Sequence, residues 1–317
     1  SRFSPVFTPM LVVIVAVVGS GCSSNSDRII KLAGAERPLS ALTKLPTLTW
    51  TAEGNQDGAL YGSSVANAGD VNGDGFADVI VGAYRYNNGE SNEGQAQLFL
   101  GTADGLEDSP DWTAESNQED AHFAISVALA GDVNGDGFSD VIVGAKQYDN
   151  GQDDEGMAFV YHGSSSGLSP SPDWTAESNQ ALAFFGTSVA SAGDVNSDGY
   201  SDIVVGAPQY SNGETKEGQA YLFLGSPGGL LSSHSWTAEG GEENGNFGLS
   251  VSGAGDVDSD GKSDVIVGAP DMGDGRAFLY LSAGPSLNAT ESWTESGSDL
   301  ERFGISVSAA GDVDGDG

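Results

Sequence analysis

Short apolar runs of strand length alternate with polar, glycine-rich stretches along most of the chain. Residues 78–83 read Asp-Val-Ile-Val-Gly-Ala, an apolar run that suits a strand buried on both faces. Ahead of it, Tyr61-Gly62-Ser63-Ser64-Val65-Ala66 passes from an aromatic–glycine pair into alternating small and apolar residues and predicts a first strand. Behind it comes a polar hairpin with Asn-Gly at 88–89, 150–151 and 212–213, a strong turn signal. Gly94-Gln95-Ala96-Gln97-Leu98-Phe99-Leu100-Gly101 predicts a third strand, with counterparts starting at Gly156, Gly218 and Gly275. A second glycine turn leads into a fourth strand that carries a tryptophan. No helix formers are concentrated after residue 45.

The same pattern recurs. Trp50, Trp112, Trp174 and Trp236 stand 62 residues apart and Trp293 follows after 57; Asp70, Asp132, Asp194 and Asp256 keep the 62-residue step, with Asp312 after 56. Trp-Thr-Ala-Glu opens four copies and Trp-Thr-Glu a fifth. The fourth copy is shorter because its hairpin is trimmed to Asp271-Met272-Gly273-Asp274. Four strands in about 60 residues describe one propeller blade, which buries its two faces only by stacking on neighbours. The expected fold is therefore all-β, a β-propeller of four-stranded antiparallel blades. Open solenoids use shorter coils, and sandwiches do not repeat in this way.

Between first and second strands each copy holds an acidic loop with oxygen side chains at positions 1, 3, 5 and 9. These are Asp70, Asn72, Asp74 and Asp78; Asp132, Asn134, Asp136 and Asp140; Asp194, Asn196, Asp198 and Asp202; and Asp256, Asp258, Asp260 and Asp264. A fifth loop keeps Asp312, Asp314 and Asp316. Ca²⁺ takes six to eight oxygen ligands, and alternate residues of a tight loop can all point inward. The glycine at position 6 permits the turn. Position 7, at Phe76, Phe138, Tyr200 and Lys262, is expected to add a main-chain carbonyl. Zn²⁺ would want His or Cys, which the loops lack, and Mg²⁺ a stricter octahedron. No Glu follows at position 12 and no helices flank the loops, which excludes an EF-hand. Expected affinity is weak, on the order of 10⁻⁴–10⁻³ M, as in extracellular modules.

The aromatic–glycine pair, the acidic loop and Gly-Ala-Pro together resemble the FG-GAP repeats of integrin α-subunit propellers. Phe-Gly stands at 185–186, 247–248 and 303–304, and Gly-Ala-Pro at 206–208 and 268–270. Tyr61-Gly62, Phe123-Ala124, Gly82-Ala83-Tyr84 and Gly144-Ala145-Lys146 depart from the pattern. The resemblance covers 46–317 and implies a ring of seven blades, of which about four and a half copies are visible here. It also implies that ligands bind on the face opposite the calcium loops. Segments 85–93, 147–155, 209–217 and 113–122 are the candidates there, with a solvated acidic rim as the plainer alternative.

Charge and composition narrow the function. A net charge of −35 would repel nucleic acid and anionic membrane surfaces, and many of the acids sit at fixed places in the repeat, which points to cations. The single Cys22 rules out an internal disulfide framework. Met10–Val18 is an apolar run too short to span a bilayer, followed by Gly19-Ser20-Gly21-Cys22. Residues 1–21 thus read as a signal peptide resembling a bacterial lipoprotein signal, with Cys22 lipidated. Cleavage without lipidation and an incidental thiol remain the alternatives. Ser23 after Cys22 leans towards the outer membrane, residues 22–45 towards a flexible linker, and the repeats look truncated at the C-terminus.

Three histidines, at 122, 162 and 234, occupy unrelated registers. Gly163-Ser164-Ser165-Ser166-Gly167 fits the nucleophile-elbow pattern but is the repeat equivalent of hairpin turns at 101–105 and 225–229. No catalytic constellation results. The expectation is a non-catalytic Ca²⁺-binding propeller, secreted or on the cell surface, that mediates adhesion or binds a protein or glycan ligand. Alternatives are an accessory propeller of a larger secreted enzyme and a purely structural coat.

Overall fold

The computed structural model describes residues 50–298 and 301–311. The chain divides into two units, Ser1–Thr47 and Leu48–Gly317, and all described residues belong to the second. Cys22, the leader, and Asp312, Asp314 and Asp316 lie outside the described residues.

Four consecutive four-stranded antiparallel sheets make up the fold, with no helix among the described residues. The first comprises Ser64–Gly69, Asp78–Ala83, Gln95–Phe99 and Trp112–Glu115, paired in sequence order. The second comprises Phe123–Gly131, Asp140–Ala145, Met157–Tyr161 and Trp174–Glu177. The third comprises Ser188–Gly193, Asp202–Ala207, Gln219–Phe223 and Trp236–Glu239. The fourth comprises Ser250–Gly255, Asp264–Ala269, Arg276–Tyr280 and Trp293–Ser296. These are the expected propeller blades. Each tryptophan strand pairs with the third strand before it and so closes a sheet, with Trp112 opposite Leu98 and Trp174 opposite Val160.

The second strands run as predicted. The first strand begins three residues later than the alternation suggests, at Ser64 and not Tyr61. Leu60 (φ 54) and Gly62 (φ 77) are left-handed, so the aromatic–glycine pair forms a turn, held by the Gly62 N–H donating to the Gly82 carbonyl at 2.9 Å. The strand then reaches Gly69 through a bulge that pairs Gly69 with Asp78.

Three hydrophobic clusters lie between successive sheets. Val141 and Val143 bury towards the first sheet while Ile142, between them, buries towards the third. This explains the unbroken apolar run of the second strand: a blade with neighbours on both sides needs both faces apolar. Fully burying each such side chain contributes roughly 1.5–3 kcal/mol.

Contacts between sheets repeat with the same period. Trp112, Trp174 and Trp236 each cross to the following sheet: Trp174 meets Phe223 edge-on at 4.9 Å and its Nε1 donates to the Leu231 carbonyl at 3.1 Å. Trp112 does the same with Tyr161 and Ser169, and Trp236 with Tyr280 and Asn288. First strands of successive sheets lie against one another, and there Ser64, Ser126, Ser188 and Ser250 each accept a main-chain N–H from the next copy at 2.9–3.2 Å.

Candidate metal centre

Each acidic loop is wound around its first carboxylate. Asp70 Oδ1 accepts the N–H groups of Gly73 (2.7 Å) and Asp74 (3.0 Å), and Oδ2 accepts that of Gly75 (2.8 Å). Asp132 does the same with Gly135, Asp136 and Gly137. Asp194 holds Asp198 and Gly199, and Asp256 holds Asp260 and Gly261. Asx turns at positions 3 and 5 complete the coil, as where Asn72 accepts from the Asp74 N–H and Asp74 from the Phe76 N–H. Local hydrogen bonding therefore turns positions 1, 3 and 5 towards one another.

Position 3 separates the loops. In the first three an asparagine donates to the position-5 carboxylate: Asn72 to Asp74 at 3.0 Å, Asn134 to Asp136 at 2.9 Å, and Asn196 to Asp198 at 2.8 Å. In the fourth, Asp258 removes that donor. Asp256, Asp258 and Asp260 then each present an oxygen within 4.8 Å of the others, all exposed. Three carboxylates so close repel unless a cation lies between them. The all-oxygen donor set fits a hard divalent ion such as Ca²⁺ and does not suit Zn²⁺.

Position 9 is built differently. Asp78, Asp140, Asp202 and Asp264 open the second strands and are fully buried. Asp202 Oδ2 accepts the Val195 N–H and Oδ1 the Gly225 N–H, both at 2.8 Å. Asp78 clamps Val71 and Gly101 in the same way, Asp140 clamps Val133 and Gly163, and Asp264 clamps Val257 and Ser282. Burial pushes Asp140 up to about 6 and Asp202 up to about 7, against the opposing pull of the two N–H groups; Asp78 and Asp264 move in the same direction. This carboxylate ties the start of the loop to the turn after the third strand.

At Phe138 and Tyr200, position 7 reaches the preceding loop. A methyl placed on Gly73 would lie 2.7 Å from the Phe138 ring, and one on Gly135 would lie 2.5 Å from Tyr200. Lys262 extends its Nζ to the Gly284 carbonyl at 3.2 Å. Position 8, which sequence reasoning passed over, links the loops. The N–H groups of Ser139, Ser201 and Ser263 donate to the carbonyls of Asp70, Asp132 and Asp194 at 2.9–3.0 Å. Also missed were Glu93, Glu155 and Glu217, buried carboxylates under the hairpins that accept from the N–H groups of Asn88, Asn150 and Asn212. Their recurrence in one register was the available signal.

The histidines stay apart: His122 bonds Gln147, His162 Nδ1 sits 3.9 Å from Asp173, and His234 stacks edge-on to Tyr221 at 5.6 Å. Ser164 donates to the Gly167 carbonyl inside its own turn, as expected of a hairpin.

The geometry also explains why the repeat motif takes its form. A methyl on Gly206 would lie 1.9 Å from the carbonyl oxygen of Gly248 in the next sheet, and one on Gly144 would lie 1.9 Å from that of Gly186. The glycine of Gly-Ala-Pro thus seats the Phe-Gly turn of the following blade. The FG-GAP repeat family matches residues 61–99, 123–161, 185–223 and 247–280, one match per sheet. The chain is an FG-GAP repeat protein. This FG-GAP protein is 31% identical over 254 residues to integrin alpha-5 of Xenopus laevis, an alignment covering 76% of the chain and 23% of that relative. It is 31% identical over 241 residues to integrin alpha-8 of Mus musculus, covering 73% and 21%. Integrin alpha-PS2 of Drosophila melanogaster is 31% identical over 187 residues, covering 55% and 13%. The chain therefore spans under a quarter of the length of these curated relatives.

Proposed function

We propose that this FG-GAP protein is an extracytoplasmic, non-catalytic binding module for adhesion or for a protein or glycan ligand, with Ca²⁺ in the acidic loops stiffening the blade stack. The observation behind the metal assignment is the in-register coil of four loops, each with positions 1, 3 and 5 converging, and with Asp256, Asp258 and Asp260 near enough to share one ion. Position 1, 3 and 5 side chains would hold the ion, with the position-7 carbonyl and the position-9 carboxylate completing the set. The ion would supply positive charge where each loop gathers acids. Because Ser139, Ser201 and Ser263 bond one loop to the next, that charge would tighten the contact between blades as well as the loop.

Antiparallel strands put the acidic loops and the 101–105 type of turn at one end of the sheets, and the Asn-Gly hairpins at the other. We assign ligand binding to the hairpin end, with Cys22 as a lipid anchor in the full chain. Calorimetric titration with Ca²⁺ tests the metal: saturable uptake and a melting temperature lowered by EGTA are expected, and no heat with an unchanged melt would refute it. Beads carrying the protein, settled on surfaces coated with purified extracellular proteins or glycans, test the face. Charge reversal at the exposed hairpin residues Glu90, Asp153 and Glu214 should reduce adhesion. Reversal at Asp104, on the loop end, should not.

A further inference from the structure

The first two copies break the repeat at Tyr84 and Lys146, where later copies have Pro208 and Pro270. The fold brings these departures together. Second strands end at the hairpin end of the sheets, so Tyr84 and Arg85 emerge beside Lys146 and Gln147. The His122 ring meets Tyr84 edge-on at 5.3 Å, and the Arg85 guanidinium lies 5.6 Å from the centre of the same ring. Burial, then the positive charge of Arg85, holds the Lys146 ammonium below its ordinary value. His122 is held down by burial first, with Lys146 and Arg85 adding to it.

This arrangement is unusual in a chain of net charge −35. Six basic residues follow residue 49. Arg276 pairs with Glu242 and Arg302 with Asp271, each at 2.8 Å. Among the described residues, neither Arg85 nor Lys146 has a carboxylate within ion-pair distance. The acids that face them are engaged by amides: Asp120 accepts from Asn92 at 2.7 Å, and Asp154 from Gln147 at 3.1 Å. Gathering cations and half-burying one costs free energy that the nearby Asp154 and Asp120 offset only in part, since Lys146 and His122 are still held down, and an anion in the gap would offset the rest.

We propose that Arg85, Lys146 and His122 form an anion-binding site between the first and second sheets, shaped for a single carboxylate of a protein segment. The proposal rests on the assignment of ligands to the hairpin face. Arg85 offers a two-pronged donor and Lys146 a point charge, while His122, whose one neutral-form N–H is given to the Gln147 Oε1, walls the site against Tyr84. Tyr84, with Leu60 exposed at 45%, gives apolar contact to the residues around that carboxylate. The site occurs once. Counterparts of Arg85 are Gln147, Gln209 and Asp271. A polyanion would therefore meet acids at neighbouring blades and be repelled, which favours a segment with one carboxylate and neutral or basic flanks over an acidic polysaccharide.

The test follows the Arg85 Nε–H and the His122 ring by NMR in the full protein during titration with three probes. These are N-acetyl-Gly-Asp-Gly-amide, its Asn analogue and oligogalacturonate. Arg85→Gln and Lys146→Pro install residues the repeat itself uses, so both variants should fold, which a melt checks; should Lys146→Pro fail to fold, Arg85→Gln and the unsubstituted protein decide alone. Saturable shifts with the Asp peptide, none with the Asn peptide, and an affinity reduced about tenfold or more in each folded variant are expected. No shift with the Asp peptide, an equal response to the Asn peptide, preference for oligogalacturonate, or unchanged affinity in Arg85→Gln would overturn the proposal. Adhesion separates this failure from a wider one. If hairpin charge reversals abolish adhesion while the Asp peptide leaves Arg85 unmoved, the ligand face stands and this site falls. If those reversals leave adhesion intact, the face itself is wrong and the site falls with it.

Discussion

Replacing Gly206 by alanine isolates the contact that joins one blade to the next. On local grounds the change should help: Gly206 has no left-handed φ, and Gly→Ala at a compatible site stabilises by about 0.4–1 kcal/mol through the unfolded chain. The tertiary contact reverses the sign. The new methyl would sit 1.9 Å from the Gly248 carbonyl oxygen and 2.9 Å from its carbon. To restore ordinary contact the turn must retreat by more than about 1 Å. That motion strains the Gly248 N–H bond to the Gly268 carbonyl (3.0 Å) and lifts Phe247, which is fully buried and 5.3 Å from Phe278. Overpacking costs about 1–3 kcal/mol and an unsatisfied buried amide about 1–3 more, so the net loss should be about 3 kcal/mol. Denaturant unfolding in Ca²⁺ buffer measures it, with Gly228→Ala as a control at an exposed, uncrowded glycine expected to change stability by under about 1 kcal/mol. The reasoning fails if Gly206→Ala is as stable as the control.

Other substitutions probe the remaining contacts. Trp174→Phe keeps the edge contact with Phe223 but loses the bond to the Leu231 carbonyl, and should cost about 1–2 kcal/mol in the same unfolding assay. Trp174→Ala loses both and should cost about 3–5 kcal/mol. Asp202→Asn turns one clamped N–H towards an amide nitrogen. It should destabilise by about 2–3 kcal/mol even in EDTA, whereas a residue that served the metal alone would show no loss there. Burial raises the Glu93 pKa, with Glu115 and Glu90 adding to it against the Asn88 N–H. The folded state therefore holds that proton longer than the unfolded chain, and stability falls as pH rises from the unfolded value of about 4.3 through the folded one. Glu93→Gln should remove this slope, gaining on the unsubstituted protein between pH 4 and pH 8 in paired melts.

Much of this molecule was legible in its sequence because the relevant physics is local. Alternation of small and apolar residues from Ser64, the double-sided apolar run 78–83 and the Asn-Gly turns fix strands whatever lies beside them. The oxygens of Asp70, Asn72 and Asp74 converge through hydrogen bonds that span five residues at most. Tertiary structure decided what depends on residues about 20 to 60 apart. Only the stack shows that Trp112, Trp174 and Trp236 reach into the next blade, that Gly206 is glycine for the sake of Gly248, and that Asp202 at position 9 also clamps an N–H 23 residues away. The same holds for Arg85, His122 and Lys146, unremarkable singly and dispersed along the chain. Packing between sheets gathers them at one place, and no pattern of period two or turn chemistry encodes that contact.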